Sequence, residues 1–244
     1  MFFHPFTALR LTDIPTLMKF KGRGGWSAFG TYRKFIEPWW QSLNIKTVLD
    51  IGANAGQFGH ACRLAFPTIR LHSFEPLKGP FTKLSSLAED DRNWTVHNFA
   101  LSNVAGETQI HADEYSPSSS LLQMSERHRE HFPQTGQTTQ QIIETKRLED
   151  IFGDLAIEGR TLMKLDVQGY ELAVLDGAEK ILPEIDYILT EMSFVSLYEE
   201  QPLFADVYSR LCHSNFSFKG FFDQCVSPKT GELLQGDGIF VRNR

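Results

Sequence analysis

The sequence predicts an α/β protein in which a mostly parallel sheet is covered by helices on both faces. Three observations predict it. Short β-rich runs that end in Gly, Asp or Glu alternate with helix-like stretches. The clearest run, residues 47–51, passes directly into a turn built on Gly52 and Gly56 and then into a helix-like stretch at 57–66. Between two further runs, at 161–166 and 187–191, Leu172, Leu175, Ala178, Ile181 and Leu182 recur at helical spacing, which predicts a helix over 170–182 closed by Pro183.

Taken along the chain, residues 1–45 read as an N-terminal helical extension. Gly22-Arg23-Gly24-Gly25 forms a loop in it, and Phe35, Ile36, Trp39 and Trp40 offer a docking surface. Residues 46–244 read as one domain. Its strands are expected at 47–51, at 69–74 (ending on Glu75-Pro76), at 94–98, at 161–166 and at 187–191. Residues 105–148 interrupt the alternation: strand candidates at 107–112 and 140–145 flank a polar stretch at 113–139, the pattern of an inserted hairpin with a long excursion. Two runs within 216–241, around a Ser-Pro-Lys-Thr-Gly turn at 227–231, predict a C-terminal antiparallel hairpin.

Composition narrows the function. The chain has 244 residues, 41% apolar and 22% charged, so a packed core is expected rather than bulk disorder. A net charge of -6 argues against nucleic acid as a partner. Cys62, Cys212 and Cys225 stand apart in sequence, so neither a disulfide framework nor a zinc cluster is expected, and a reducing, cytoplasmic location fits. The start has no signal-peptide pattern and no run is apolar enough for a membrane span. A homo-oligomer stays open. The aromatic content is unusual in its 20 Phe.

The chemistry concentrates at Asp50-Ile51-Gly52-Ala53-Asn54-Ala55-Gly56. Glycines between a strand and a helix let the backbone approach a ligand closely. Glu75 ends the next strand, where a carboxylate accepts hydrogen bonds from the two hydroxyls of a ribose. A nucleotide-type ligand follows. The pattern is not GxGxxG, and Asp50 would repel a pyrophosphate, whereas it would attract an ammonium or a sulfonium. The sign of that charge favours S-adenosylmethionine over a nicotinamide dinucleotide. Ligands of open α/β sheets bind beyond the carboxyl ends of the strands, so Asp50, Glu75, Asn98, Asp166 and Glu191 share one rim.

These residues carry a resemblance. Val48-Leu49-Asp50-Ile51-Gly52-Ala53-Asn54-Ala55-Gly56, Phe74-Glu75-Pro76, Asn98-Phe99-Ala100-Leu101-Ser102, Ser119-Ser120-Leu121, Lys164-Leu165-Asp166-Val167-Gln168-Gly169-Tyr170-Glu171 and Gly238-Ile239-Phe240-Val241 occur in the order seen in FkbM-type S-adenosylmethionine-dependent methyltransferases, which the sequence resembles over about 46–241. Two positions depart from the family: Gln168 stands where Glu is usual, and Asp237-Gly238 where Asp-Ala is frequent. The resemblance implies a Rossmann-like class I methyltransferase fold, with a seven-stranded sheet and an antiparallel C-terminal hairpin. It makes 46–244 a methyltransferase domain that moves a methyl group to a hydroxyl of a sugar, glycan or other small-molecule acceptor.

The expected cofactor set is Asp50, Gly52, Ala53, Asn54, Gly56, Glu75, Pro76, Asn98, Phe99 and Ala100. Phe99 serves either as an adenine face or as plain core. The expected catalytic set is Asp166, Lys164 and Glu191. Asp166 is the candidate base or acceptor-orienting group, and it also suits the N-cap of the following helix. Lys164 lies two residues away on the same strand face and pairs with a carboxylate. Glu191 lines the acceptor pocket or makes a local salt bridge. Glu171 sits where a helix dipole favours an acid. No metal is expected: His128-x-x-His131 reads as a solvated charged face, and Gln168 beside Asp166 adds no charge. Lys19, Lys21, Arg23, Arg33 and Lys34 read as an ordinary basic face. Two alternatives stand beside O-methylation, a catalytically weak S-adenosylmethionine-binding protein and an N-methyltransferase of a small molecule.

Overall fold

Alternating apolar and polar runs become strands β1 (Ile45–Ile51), β2 (Arg70–Phe74) and β3 (Trp94–His97), separated by α4 (Gln57–Ala65) and α5 (Lys78–Ala88) in a computed structural model that describes residues 14–21, 25–113, 119–125, 138–227 and 229–243. Ahead of them lie α1 (Ile14–Met18), α2 (Gly25–Phe35) and α3 (Pro38–Ser42). After them come β4 (Ala100–Leu101), β5 (Gly106–Asp113), β6 (Thr138–Lys146), α6 (Leu148–Ile151), β7 (Arg160–Leu165), α7 (Glu171–Asp176), β8 (Tyr187–Ser193), α8 (Phe204–His213), β9 (Phe216–Val226) and β10 (Leu233–Arg242).

Seven strands form one sheet in the order β3-β2-β1-β7-β8-β10-β9. All neighbours are parallel except β10, which runs antiparallel to both β8 and β9. This is the Rossmann-like arrangement expected, hairpin included. The order reverses between β1 and β7, so the strand ends open a crevice there. Alternation along β1 divides its side chains: Leu49 and Ile51 pack on one face with Leu175, Leu182, Ile188 and Phe216, while Val48 packs on the other with Cys62, Leu71, Leu84 and Leu162. Both faces are covered, as a parallel sheet requires. Among the described residues no helix is long and apolar enough to cross a membrane.

The insertion forms a second sheet of order β4-β6-β5, with β5 and β6 antiparallel from Gly106↔Thr145 to Asp113↔Thr138. Segment 119–125 returns across the main domain. It is pinned to β5 by His111↔Ser120 and to the loop after β8 by Met124↔Tyr198.

Several expectations need correcting. The helix expected over 170–182 is only the six residues of α7, followed by a 3-10 segment, Glu179–Glu184, that contains Pro183. The break is at Gly177, where an added Cβ would lie 2.0 Å from the Ser102 carbonyl oxygen, so the chain presses against a neighbouring backbone instead of continuing as a helix. The docking surface of the extension is half realised: Phe35 and Trp40 are buried, while Ile36 and Trp39 stay exposed. Of the expected glycine loop only Gly25 is described, where it opens α2, and residues 22–24 lie outside the described residues, as do Ser116-Pro117-Ser118 and His128-x-x-His131. Phe216, Phe218 and Phe221 pack under the C-terminal hairpin, but Phe222 turns the other way, 5.2 Å from the Phe35 ring and 5.4 Å from that of Trp40.

Candidate active site

The crevice is a cavity of about 430 Å³. Its floor comes from the loop after β1 (Gly52, Ala53, Asn54), the end of β2 (Glu75, Pro76), β4 (Ala100) and the end of β7 (Lys164, Asp166). The loop bends as its glycine demands. Gly52 has φ +79°, and Gly52 and Ala53 both donate their N–H to the Phe74 carbonyl, at 3.1 and 3.0 Å.

Glu75 is buried and tightly held. Its Oε2 accepts the Asn54 N–H and its Oε1 the Leu77 N–H, each at 2.9 Å, which leaves one lone pair of each oxygen for a ligand. Burial outweighs those two hydrogen bonds and pushes the carboxyl up to about 7.

Asp50, Ser73 and Lys164 stand side by side because the β1–β2 and β1–β7 registers pair Asp50 with Ser73 and with Lys164. This corrects an expectation. Asp50 is 0% exposed and does not line the cavity: it shares the pleat face of Val48, beneath α4. Its Oδ2 accepts from Ser73 Oγ at 3.3 Å, its Oδ1 has no hydrogen-bond partner, and Lys164 Nζ is 3.6 Å from Oδ1. Burial raises the Asp50 carboxyl while Lys164 opposes it. The carboxylate that meets the cavity beside Lys164 is instead Asp166, 3.1 Å from the ammonium through Oδ2. Burial works against the Lys164 charge, but Asp166 and Asp50 outweigh it and hold the ammonium above the usual lysine range.

Asp166 is not a helix N-cap. That position belongs to Tyr170, and Glu171 turns back to accept the N–H groups of Val167 and Gly169, each at 3.2 Å. Burial raises the Glu171 carboxyl to about 7 in spite of those bonds. Glu191 does not form cavity wall. It stands next to the site through Gln168, whose Nε2 donates to Glu191 Oε2 at 3.0 Å and to Asp166 Oδ1 at 2.8 Å. Burial, then the charges of Asp166, Glu171 and Asp237, hold the Glu191 carboxyl well above its ordinary value.

The family-model comparison falls on the same elements. The model for the methyltransferase FkbM domain matches residues 50–218. The chain belongs to the FkbM methyltransferase family. Residues 50–218 are accordingly an S-adenosylmethionine-dependent methyltransferase domain. Over 166 residues the chain is 31% identical to the 2-O-methyltransferase NoeI of Sinorhizobium fredii, an alignment that covers 63% of this chain and 66% of that protein, a little under two thirds of its length. It is 27% identical over 201 residues to the 31-O-demethyl-FK506 methyltransferase FkbM of Streptomyces tacrolimicus, covering 65% of this chain and 76% of that one. Among solved structures, magnesium protoporphyrin IX methyltransferase from Synechocystis PCC 6803 with bound S-adenosylmethionine superposes with a TM-score of 0.47 at 10% identity, over 89% of this chain and 81% of that one.

The residues present fit that cofactor. Glu75, with a free lone pair on each oxygen, suits a ribose diol, and Gly52 leaves bare backbone at the cavity floor.

Other expected residues take structural places. Asn98 Nδ2 donates to the carbonyls of Glu75 and Pro76, at 2.9 and 3.0 Å, and so fixes the Glu75 turn without lining the cavity. Phe99 also lies off the cavity. It packs on the core and carries Lys146 Nζ 4.3 Å from its ring centre. Gly56 stands behind the loop, where a Cβ would fall 2.9 Å from Leu84 and Leu87 side chains.

The cavity also has walls outside the expected cofactor and catalytic sets, of which Leu121 belongs to the Ser119-Ser120-Leu121 segment. Ile110, Leu121 and Leu77 close it near Ala100. Opposite them, Ala28 and Thr31 of α2 face Phe222 and Asp223 of β9 and Asp237 of β10. Lys34 reaches over this wall, 2.7 Å from Asp223 Oδ2 and 4.6 Å from the Phe222 ring centre. Burial, then the Asp166 charge, pushes the Asp237 carboxyl up to about 7, against Lys164. The Asp237-Gly238 departure was the one sequence signal for this wall.

Proposed function

We propose that the protein is an O-methyltransferase whose acceptor is a hydroxyl of a sugar, a glycan or another small molecule. The observation that carries this reading is Asp166: a strand-end carboxylate facing the cavity, with one oxygen on Lys164 and the other on Gln168. The two similar proteins that act on oxygen agree with it.

In this reading the cofactor, when bound, supplies an electrophilic methyl group. Glu75 anchors the ribose end. Asp166 would accept the hydrogen bond of the acceptor hydroxyl, orient its oxygen and take up its proton. Lys164, 3.1 Å from Oδ2, holds the carboxylate in place for that step. The acceptor enters along the wall of Thr31, Phe222 and Asp223. There aromatic and carboxylate groups together suit the C–H faces and hydroxyls of a polyol. The extension at 1–45 and the insertion at 105–148 then belong to acceptor recognition, since both contribute wall residues.

The test incubates the full chain with methyl-labelled S-adenosylmethionine and a panel of free and nucleotide-linked sugars. Transfer of label to oxygen is expected. With the acceptor in hand, Asp166→Asn should lower turnover by about 10²–10⁴-fold with cofactor affinity little changed. A parallel fall in cofactor affinity would make Asp166 a cofactor ligand instead.

A further inference from the structure

We propose that Gln168 is a positioning residue: by bridging Asp166 to Glu191 its side-chain amide holds Asp166 in the single orientation that meets the acceptor. The proposal rests on the reading of Asp166 given above.

An amide nitrogen has two hydrogens, and both are committed here, one to Asp166 Oδ1 at 2.8 Å and one to Glu191 Oε2 at 3.0 Å. From the other side the buried Tyr198 hydroxyl donates to Gln168 Oε1 at 2.8 Å. A flipped amide would aim its oxygen at two carboxylates, whereas the Tyr198 hydroxyl can donate or accept. The carboxylates of Asp166 and Glu191 thus select the orientation, and Tyr198 completes it.

The backbone is held as firmly. Gln168 has φ +53° and Gly169 φ +94°, a left-handed pair that turns the loop back on itself. Ser120 Oγ donates to the Gln168 carbonyl at 2.6 Å, and Ser120 itself is paired with His111. The strap at 119–125 and the turn around Tyr198 therefore grip Gln168 from opposite sides. Asp166 takes Lys164 on its other oxygen, so both ends of its carboxylate are fixed while the side chain remains 39% exposed.

The bridge needs an uncharged donor. Glu191 is surrounded by Asp166, Glu171, Asp237, Tyr198 and the Cys225 thiol, with Lys164 as the cation among the groups acting on it. A carboxylate at 168 would face Asp166 and Glu191 with no hydrogen to offer unless it took up a proton. An alanine would leave both acceptors without this donor.

The experiment labels Asp and Glu carboxyl carbons with ¹³C in the full-length protein and follows Asp166 and Glu191 by NMR as pH is varied. It compares the native chain with Gln168→Glu, Gln168→Ala and Tyr198→Phe, and measures S-adenosylmethionine binding by calorimetry in each. In Gln168→Glu the Glu191 midpoint should rise by at least one pH unit. In Gln168→Ala the Asp166 resonance should move toward that of a freely rotating carboxylate. Tyr198→Phe, which preserves the packing, should give a smaller change in the same direction. Cofactor affinity should stay within threefold throughout, and turnover of Gln168→Ala should fall at least tenfold in kcat with little change in the KM for cofactor. Titration curves of Asp166 and Glu191 that match the native ones in both Gln168 variants and in Tyr198→Phe would overturn the proposal. Failure of the underlying reading would look different: Asp166→Asn would keep its turnover while the Gln168 variants still shifted the titrations.

Discussion

Gly52 presents its bare α-carbon to the carbonyl of Asp166 so closely that a Cβ there would fall 1.9 Å from the oxygen. The contact joins the ends of β1 and β7, where Asp166 N–H also donates to Ile51 O at 3.1 Å. The cavity floor at Gly52 and the backbone that carries Asp166 are thus in direct contact. Gly52→Ala must displace the Asp166 backbone and also hold φ +79° with a side chain. A loss of about 2–5 kcal/mol in urea unfolding is expected from strain and overpacking combined. Calorimetry should show cofactor binding weakened more than tenfold.

Lys164→Met removes the cation shared by Asp50 and Asp166. Asp50 is then a buried acid with only Ser73 as a partner, and the expected cost is about 3–5 kcal/mol at neutral pH. The sign with pH follows. Losing the ammonium raises the folded-state value of Asp50 further above its unfolded one, so the folded form binds the proton more tightly. The variant should therefore regain stability as pH falls toward 5. Unfolding curves across pH 5–8 that stay parallel to native would contradict this.

Glu75 makes a separate pH prediction. Its folded carboxyl titrates at about 7 against an ordinary 4.5, so its contribution to stability is fully present below pH 4.5 and is lost as pH rises through 7. The span corresponds to roughly 3 kcal/mol. Hydroxyls of a ribose donate best to the ionised form, so cofactor affinity should rise between pH 6 and 8 while apo stability falls. In Glu75→Gln both slopes should flatten, and the affinity itself should drop. Calorimetry and denaturant titration at matched pH read the two effects.

Thr31→Trp tests the wall supplied by α2. Thr31 lines the cavity together with Asp223. A bulky ring there should leave cofactor affinity within about threefold and raise the acceptor KM by more than tenfold. Lys34→Ala, which breaks an exposed pair, should cost under about 1 kcal/mol of stability and move only the acceptor KM.

Much of the floor was legible in the sequence for local reasons. A strand, a glycine turn and a helix are short-range events, and Glu75 and Asp166 sit one strand-end away from recognisable turns. Thr31, Phe222 and Asp237 were not legible as one wall. They come from an extension and a hairpin nearly 200 residues apart, with no spacing rule between them. Helix α7 was overread because apolar spacing continues past Gly177, while the backbone of Ser102 that stops it comes from elsewhere in the fold.

By itself, the sequence determined the order of strands and helices, the presence of polar groups at successive strand ends, and the chemistry of a cofactor with a ribose and a cation. Only the tertiary structure decided which carboxylates meet the cavity. Asp50 and Asp166 both end strands at the crevice, yet the pleat of β1 and its register with Ser73 and Lys164 turn Asp50 under α4, while Asp166 lies one step beyond β7 and faces the cavity. Glu191 was placed by contact, through the amide of Gln168. The physical reason is common to both: a sequence fixes which side chains reach a sheet edge, but their direction depends on strand parity and on what packs across that edge.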